Sequence, residues 1–591
     1  MKGKPYISTR LIKVALGREP ADLVIINGRI VNVYTREITP GDIAIAEGRI
    51  AATGDVSHCI APGTEAFDAQ GGYLVPGLIE PHIHPEVTKL TITHVAETLL
   101  SRGTTTIMCS FDQIGVIAGI EGIRFTLDEA KNTPLKVFYC GPSRLPYTTP
   151  ASTVAFGFGP EEHKKAMQWD ETVGMWEYMI DSISTIEEPV LHTAGELLDR
   201  GQRPQGHLPF TSGPLLAGAT AAGAATDHES WSAEQVAEKL RSGMYVLLRK
   251  ASCVDNISEG LKAVTEMGLP DRRLCLCADD VDCTDLVELG HIDHFIRFVV
   301  RLGIEPLHAI QMATLNAAEA FRVDHLVGSL TPGRIADVLL VEDLKSFSIR
   351  KVFADGKLIA ENGECMTGID SPPYPESFYN TVRLDKPVTE EDIYITLPKK
   401  ASRAHVLVMN LEPTQVRTGR EAHLEVVQGM IIPRPDLDVL YISVTDRHSG
   451  KGRTASAFIG GFGLKNGALA TSLSPDDNNI ICIGASVADM ATAINHICEI
   501  GGGQAVVDGQ RVVADLELPV CGIMADVSAG EMARKERVLR QSLFDRGVRI
   551  PKPFFSALFL SITAIPEYAL TDQGFVEAKT RQIINPVLSW T

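Results

Sequence analysis

Along the chain, apolar and polar positions change period several times, and each change marks an element. From Ala21 the pattern is β-like: Asp22-Leu23-Val24-Ile25-Ile26, then Asn27-Gly28, then Arg29-Ile30-Val31-Asn32-Val33. Asn-Gly between two strand-like runs predicts a hairpin. Ile43-Ala44-Ile45 and Arg49-Ile50-Ala51-Ala52 follow, with Glu47-Gly48 between them, and complete a small antiparallel sheet. After the turn at Gly71-Gly72, Leu74, Val75, Leu78 and Ile79 form a continuously apolar run, as expected of a parallel strand buried on both faces. From Pro76 to about Ala320, strands of this kind alternate with helix-like segments. The β-branched run Gly103-Thr104-Thr105-Thr106-Ile107 follows a predicted helix over 93–101, and Leu135-Lys136-Val137-Phe138-Tyr139-Cys140 comes next. Further strand ends fall at Glu177, His207, Ala225-Thr226-Asp227-His228-Glu229, Arg249 and Ala278-Asp279-Asp280. Counted from Val75, that is eight strands over about 245 residues, the size of a (β/α)8 barrel.

Beyond the barrel, residues 306–320 place Ile310, Thr314 and Ala317 at helical spacing and predict one helix. β text then returns at 330–341 and 350–360, and the early and late β segments are expected to form one sheet beside the barrel. Residues 367–400 are rich in proline and read as a linker. A mixed α/β region follows, with two amphipathic helices. One carries Met490, Ile494 and Ile497 and stops at Gly501-Gly502-Gly503; the other carries Leu539, Leu543 and Phe544 and stops at Gly547. The expected fold class is therefore α/β: a flanking β-sandwich over 21–75 and 326–366, a (β/α)8 barrel over 76–325, and a C-terminal α/β domain over 400–591. Residues 1–20 are basic and irregular, and read as an arm or a helix packed on a partner subunit.

Composition narrows the partners. Hydrophobic residues make up 45% and charged residues 22% of 591, an ordinary globular balance. The net charge of −19 argues against nucleic acid and against anionic membranes, which attract basic proteins. The run from Leu11 to Leu16 is too short and interrupted for a signal-peptide core, and no apolar window reaches membrane-spanning length. The eleven cysteines are odd in number and lack CxxC spacing, which points to reduced thiols and a cytoplasmic protein. Cys275 and Cys277 sit inside an apolar run and read as core.

The chemistry gathers at strand ends. His82 and His84, spaced i, i+2 after the first barrel strand, point the same way and could hold one ion together. His207, His228, Glu177 and Asp279 fall at the ends of other strands, on the face where such barrels carry their active sites. Any one of these histidines alone is more often a hydrogen-bonded core residue; their common placement is what argues for a site. Four imidazoles and two carboxylates without thiolate suit two divalent ions of Mn, Fe or Zn, with Glu177 as the bridging carboxylate. Asp279 could bind one ion and also move a proton from an attacking water to a leaving group. Glu86 could lean over the site as a catalytic proton donor; the competing reading is a loop carboxylate in water.

These motifs resemble the adenine deaminases of the amidohydrolase superfamily. The matching text is Pro76-Gly77-Leu78-Ile79-Glu80-Pro81-His82-Ile83-His84, Gly206-His207, Thr226-Asp227-His228-Glu229 and Ala278-Asp279-Asp280. It continues through Gly290-His291-Ile292-Asp293-His294, Pro332-Gly333-Arg334-Ile335-Ala336-Asp337, Gly460-Gly461-Phe462-Gly463 and Ile500-Gly501-Gly502-Gly503. The resemblance implies a metal-dependent barrel hydrolase that converts adenine and water to hypoxanthine and ammonia, and a C-terminal domain of the adenine deaminase type. It also brings the expectation of substrate contacts from Asp112, Glu229 and Asp280, and of a homodimer or higher homo-oligomer acting on a small heterocycle. Two segments depart from the family pattern. Ser110-Phe111-Asp112-Gln113 stands where the family carries Asp-Pro-His-Glu, and Ser474-Pro475-Asp476-Asp477-Asn478-Asn479 where it carries His-Asp-Ser-His-Asn. Hydrolysis of an N6-substituted adenine or another amino- or oxo-heterocycle is therefore a second reading. A silent homologue with an assembly or regulatory role is a third, against which the intact ligand set argues.

Overall fold

The computed structural model describes residues 7–366 and 368–591. Eight parallel strands form the central barrel: Leu78–Glu80, Thr104–Cys109, Lys136–Pro142, Thr172–Met179, Arg203–His207, Thr226–Asp227, Tyr245–Arg249 and Leu274–Cys277, each paired with the next. Side-chain alternation divides them between two cores. Ile79, Met108, Phe138, Cys140, Trp176, Leu247, Cys275 and Cys277 fill the interior. Leu78, Ile107, Val137, Tyr139, Val246, Leu248, Leu274 and Leu276 face the surrounding helices. Cys275 and Cys277 are thus core, and none of the eleven cysteines is in a disulfide.

The ring closes where the first strand is shortest. A single parallel bridge joins Ile83 to Asp279, and Asp279 N donates to His82 O at 2.8 Å. The fully buried Glu80 supports this seam, accepting from Ala278 N at 2.9 Å and from His82 N at 2.8 Å and lying 3.1 Å from His291 Nε2. A side chain here does the joining that a longer strand would do with its backbone.

The apolar run 73–80 is two strands rather than one. Tyr73–Pro76 belongs to the flanking sheet and Leu78–Glu80 to the barrel, with Gly77 between them. A Cβ at Gly77 would lie 2.2 Å from Thr105 Oγ1, so the chain can cross between the sheets only without a side chain there. The early and late β segments do join, in one nine-stranded sheet curled so that Ile25, Ile43, Ile45, Val338, Leu340 and Phe353 share a core. Asn27-Gly28 is not a hairpin. Leu23–Asn32 is one strand with a bulge between Ile25 and Gly28, and Asn27 adopts the left-handed φ of 56° that a bulge accepts as readily as a turn does. Glu47 and Gly48, both at positive φ, make the true hairpin turn.

Residues 306–320 break into Pro306–Met312 and Leu315–Ala320, because Thr314 leaves helical geometry (φ −139°, ψ −89°) and starts the second helix. The helix Thr9–Ala15 packs Leu11 and Val14 on the chain's own flanking sheet, against Val24, Ala44 and Ala51. Residues 1–6 of that expected arm lie outside the described residues. The stretch expected to be a linker is packed: Phe378, Val382, Val388 and Ile393 are buried, the last three in the core of the C-terminal region. Thr367 within it lies outside the described residues.

In the C-terminal region a ten-stranded sheet carries a helix on each face. Val487–Glu499 buries Met490, Ile494 and Ile497 on one face. Ala529–Asp545 buries Leu539 and Leu543 in an apolar core continuous with the barrel's. No helix among the described residues is long and apolar enough to cross a membrane.

Candidate metal centre

His82, His84, Glu177, His207, His228 and Asp279 converge at the C-terminal mouth of the barrel. Their ligand atoms fall in overlapping groups of three that lie within 4.8 Å of one another. Glu177 is central: Oε1 lies 3.2 Å from His82 Nε2, 3.4 Å from His84 Nε2 and 3.7 Å from His228 Nε2, while Oε2 lies 2.7 Å from His207 Nδ1. Asp279 Oδ1 approaches His82 and His84 at 3.6 and 3.5 Å. Both carboxylates sit on left-handed backbone, φ 44° at Glu177 and 60° at Asp279. Non-glycine residues adopt that conformation at a cost, which marks a place where side-chain direction outweighs backbone comfort.

The donor set fits divalent ions. His82 has both ring nitrogens buried without a hydrogen-bond partner, and His228 Nδ1 is likewise unpartnered. Buried orphan acceptors of this kind are costly unless an ion or water meets them. Burial alone would raise Glu177, but His207 and His228 hold it well below the usual carboxylate range. Burial would lower His207, yet Glu177 lifts it to about 9. Burial and the neighbouring His82 keep His228 neutral, the form that ligates metal.

Three neighbours complete the site; Arg249 and Trp176 were not legible as site residues in the sequence, whereas Gln113 lies in a segment already set apart by its departure from the family pattern. The Arg249 guanidinium, at the end of the seventh barrel strand, lies 2.5 Å from Glu229 Oε1 and 2.6 Å from Asp279 Oδ2. An arginine closing an apolar strand at the active end of the barrel was the available signal. Trp176 stacks on the His82 ring at 4.1 Å and 11°. The third is Gln113, which meets Asn478 from the C-terminal region: Asn478 Nδ2 donates to Gln113 Oε1 at 2.7 Å. The two segments that depart from the family pattern therefore touch each other.

The cavity above the ligands is lined by Asp112, Gln113, Glu229, Arg249 and Asp280 from the barrel. The C-terminal region adds Gln415, Val416, Asp476, Phe555, Phe559, Ile562 and Thr563. Asp112, Glu229 and Asp280, the three expected to contact substrate, all line it. Desolvation and the charge of Asp279 push Asp280 upward. Glu86 does not line it and is not a loop carboxylate in water. It is 1% exposed, lies against the start of helix Asp112–Ala130 with Ile114 N 3.4 Å from Oε1, and is pushed up to about 7 by burial and by Asp112.

Comparison with known proteins agrees with this geometry. The amidohydrolase family model matches residues 214–359, and the adenine deaminase C-terminal domain model matches residues 415–582. Fold and donor set together are those of an amidohydrolase barrel. Adenine deaminase 4 of Rhizobium meliloti is 42% identical over 97% of this chain and 96% of its own. Adenine deaminase 1 of Desulfotalea psychrophila is 40% identical over 98% of each, and the adenine deaminase of Moorella thermoacetica 36% over 97% of this chain and 96% of its own. The chain belongs to the adenine deaminase family.

Proposed function

We propose that this chain hydrolyses adenine to hypoxanthine and ammonia. One observation carries the reading: the six imidazole and carboxylate donors converge beneath the cavity of a chain that is 42% identical to an adenine deaminase along nearly its whole length. His82, His84, Glu177, His207, His228 and Asp279 would hold two divalent ions, of manganese, iron or zinc, with Glu177 shared between them. When bound, such ions lower the pKa of water enough to supply a nucleophile at neutral pH.

The rest falls to the chain's own groups. Asp279 takes the proton of the attacking water on Oδ1 and passes it to the departing amine. Arg249, donating to Asp279 Oδ2 and Glu229 Oε1, keeps both carboxylates turned to the cavity. Asp280 and Glu229 bind and orient the ring. The apolar wall of Phe555, Phe559 and Ile562 excludes bulk water. The proposed setting is cytoplasmic, as a homodimer or higher homo-oligomer acting on a free base, without a nucleic acid polymer or a membrane as partner.

A second chamber of about 600 Å³ adjoins the cavity and shares Tyr147, Met179, His207 and Phe210 with it. It favours one alternative, an N6-substituted adenine whose larger leaving group enters that chamber. Metal-loaded protein assayed for ammonia or amine release against adenine, N6-methyladenine and other purines and pyrimidines tests both. Turnover of adenine above about 10⁴ M⁻¹s⁻¹ in kcat/KM, an ordinary value for a native substrate, is the expected result. Turnover of the substituted base alone would shift the assignment. Elemental analysis showing less than one equivalent of any transition metal would overturn the metal reading.

A further inference from the structure

His84 needs its Nε2 lone pair free for a metal, so its proton must sit on Nδ1. In this chain a line of hydrogen bonds starting 390 residues away leads to the carboxylate that faces that nitrogen. The backbone N–H of Ser474 can only donate, and it meets Asn478 Oδ1 at 3.1 Å. That sets the orientation of the Asn478 amide, so its Nδ2 donates to Gln113 Oε1 at 2.7 Å. Gln113 in turn must present Nε2 to Asp112 Oδ1, at 3.3 Å, and the backbone N–H of Gln113 reaches the same oxygen at 3.1 Å. Asp112 Oδ1, an acceptor, lies 3.2 Å from His84 Nδ1. The roles are fixed in turn as far as Gln113; Asp112, a carboxylate, accepts whatever its donors, so Asp112 itself sets the His84 tautomer and the line sets where its Oδ1 sits. His84 Nε2 is left facing Glu177 and Asp279 at 3.4 and 3.5 Å. All of these side chains are buried, so water cannot readily substitute for a missing partner.

We propose that Asp112 is a positioning residue for the metal ligand His84, and that Asn478 of the C-terminal region, acting through Gln113, sets Asp112 for that task. Carboxylate partners of this type orient a ligating imidazole and raise its basicity, and their loss weakens metal affinity by about 10- to 100-fold. The inference rests on the six donors being a metal site, and not on which base is the substrate. It also gives the two departing segments a joint role, since they meet at one contact. The competing role for Asp112 is substrate contact, since its Oδ2 is buried without a hydrogen-bond partner.

The test is competition for Zn²⁺ between full-length apoprotein and a chromophoric chelator, which needs no turnover. Asp112→Ala should bind Zn²⁺ at least about 10-fold more weakly than the parent protein. Asn478→Asp keeps the size and the acceptor for Ser474 but reverses the polarity offered to Gln113, and should weaken binding in the same direction by about 3-fold or more. Thermal melting of each apoprotein reports folding. Should Asp112→Ala fail to fold, the affinity of Asn478→Asp alone decides. Affinity within twofold of the parent in the folded variants overturns the proposal, and a raised KM for adenine with that unchanged affinity would assign Asp112 to the substrate instead.

Discussion

In the proposed reaction, Asp279 would serve both metal binding and proton transfer. Its Oδ1 faces His82 and His84 while its Oδ2 is held by Arg249. Asp279→Asn preserves the shape but removes the base. We expect kcat for ammonia release by metal-replete enzyme to fall at least about 10²-fold, and near-normal turnover would reject the role. His163 makes a different prediction at the same scale. It is 1% exposed, its Nε2 lies 2.6 Å from Pro142 O, and burial pushes it from 6.5 down to about 4. Protonation therefore favours the unfolded chain. The stabilisation is complete above pH 6.5 and is lost as pH falls toward about 4, a difference of about 3 kcal/mol. His163→Gln should flatten that part of the stability profile; an unchanged slope of Tm against pH between 7 and 5 would contradict it.

At the scale of elements, the cavity wall depends on how segment 559–566 is held. Arg417, 1% exposed, reaches no carboxylate among the described residues. Its guanidinium donates to the carbonyls of Phe559 at 2.6 Å, Ile562 at 2.7 Å and Ile565, and its backbone N–H to Pro566 O at 2.9 Å. Burial without a counter-charge pushes Arg417 down to about 9. Phe559, Ile562, Ile565 and Pro566 all line the cavity, as does Val416 beside the arginine. Removing the guanidinium would leave three carbonyls unsatisfied, each worth about 1–3 kcal/mol. Arg417→Met should therefore let the wall relax, raising KM for adenine by about an order of magnitude and kcat much less. Equal loss in both, with intact metal content, would place Arg417 outside the binding wall. Nothing in its local sequence marks Arg417; it stands at the start of the amphipathic strand Arg417–Val427, where an arginine is ordinarily solvated.

For the molecule as a whole, the barrel and the C-terminal region form one core rather than two units on a string. Lys89 of the barrel, 3% exposed, meets Glu536 of helix Ala529–Asp545 at 2.7 Å, and Glu536 also accepts from Thr284 N at 2.9 Å. Burial and the nearby Asp282 push Glu536 up to about 8, while Glu536 and Asp282 together raise Lys89 in spite of its burial. Breaking one half of a buried pair costs about 3–5 kcal/mol, whereas replacing both halves with apolar groups of similar size is often near neutral. Lys89→Met should lower Tm of the full chain clearly, and Lys89→Met with Glu536→Leu should recover much of the loss. A double variant as unstable as the sum of its single changes would show that the pair does not couple the two regions.

The sequence alone determined what depends on short range. Apolar and β-branched runs pointed to the eight barrel strands; glycine stops marked the ends of helices Val487–Glu499 and Ala529–Asp545; and strand ends picked out the six imidazole and carboxylate side chains that the fold brings together. Tertiary structure decided what depends on neighbours distant in sequence. Asn27-Gly28 suits a turn and a bulge equally, and the continuing pair partners of Leu23–Asn32 selected the bulge. The apolar run 73–80 holds Pro76-Gly77 at its break, but only the two sheets show that each half belongs to a different one. Glu86 reads equally as a proton donor over the site and as a loop carboxylate in water, and only packing shows it buried against the helix beginning at Asp112. Gln113 and Asn478 are separated by 365 positions, and their meeting is visible only once the C-terminal region closes over the barrel. Periodicity is a local property of the backbone, but burial and hydrogen-bond partnership are properties of what packs against it.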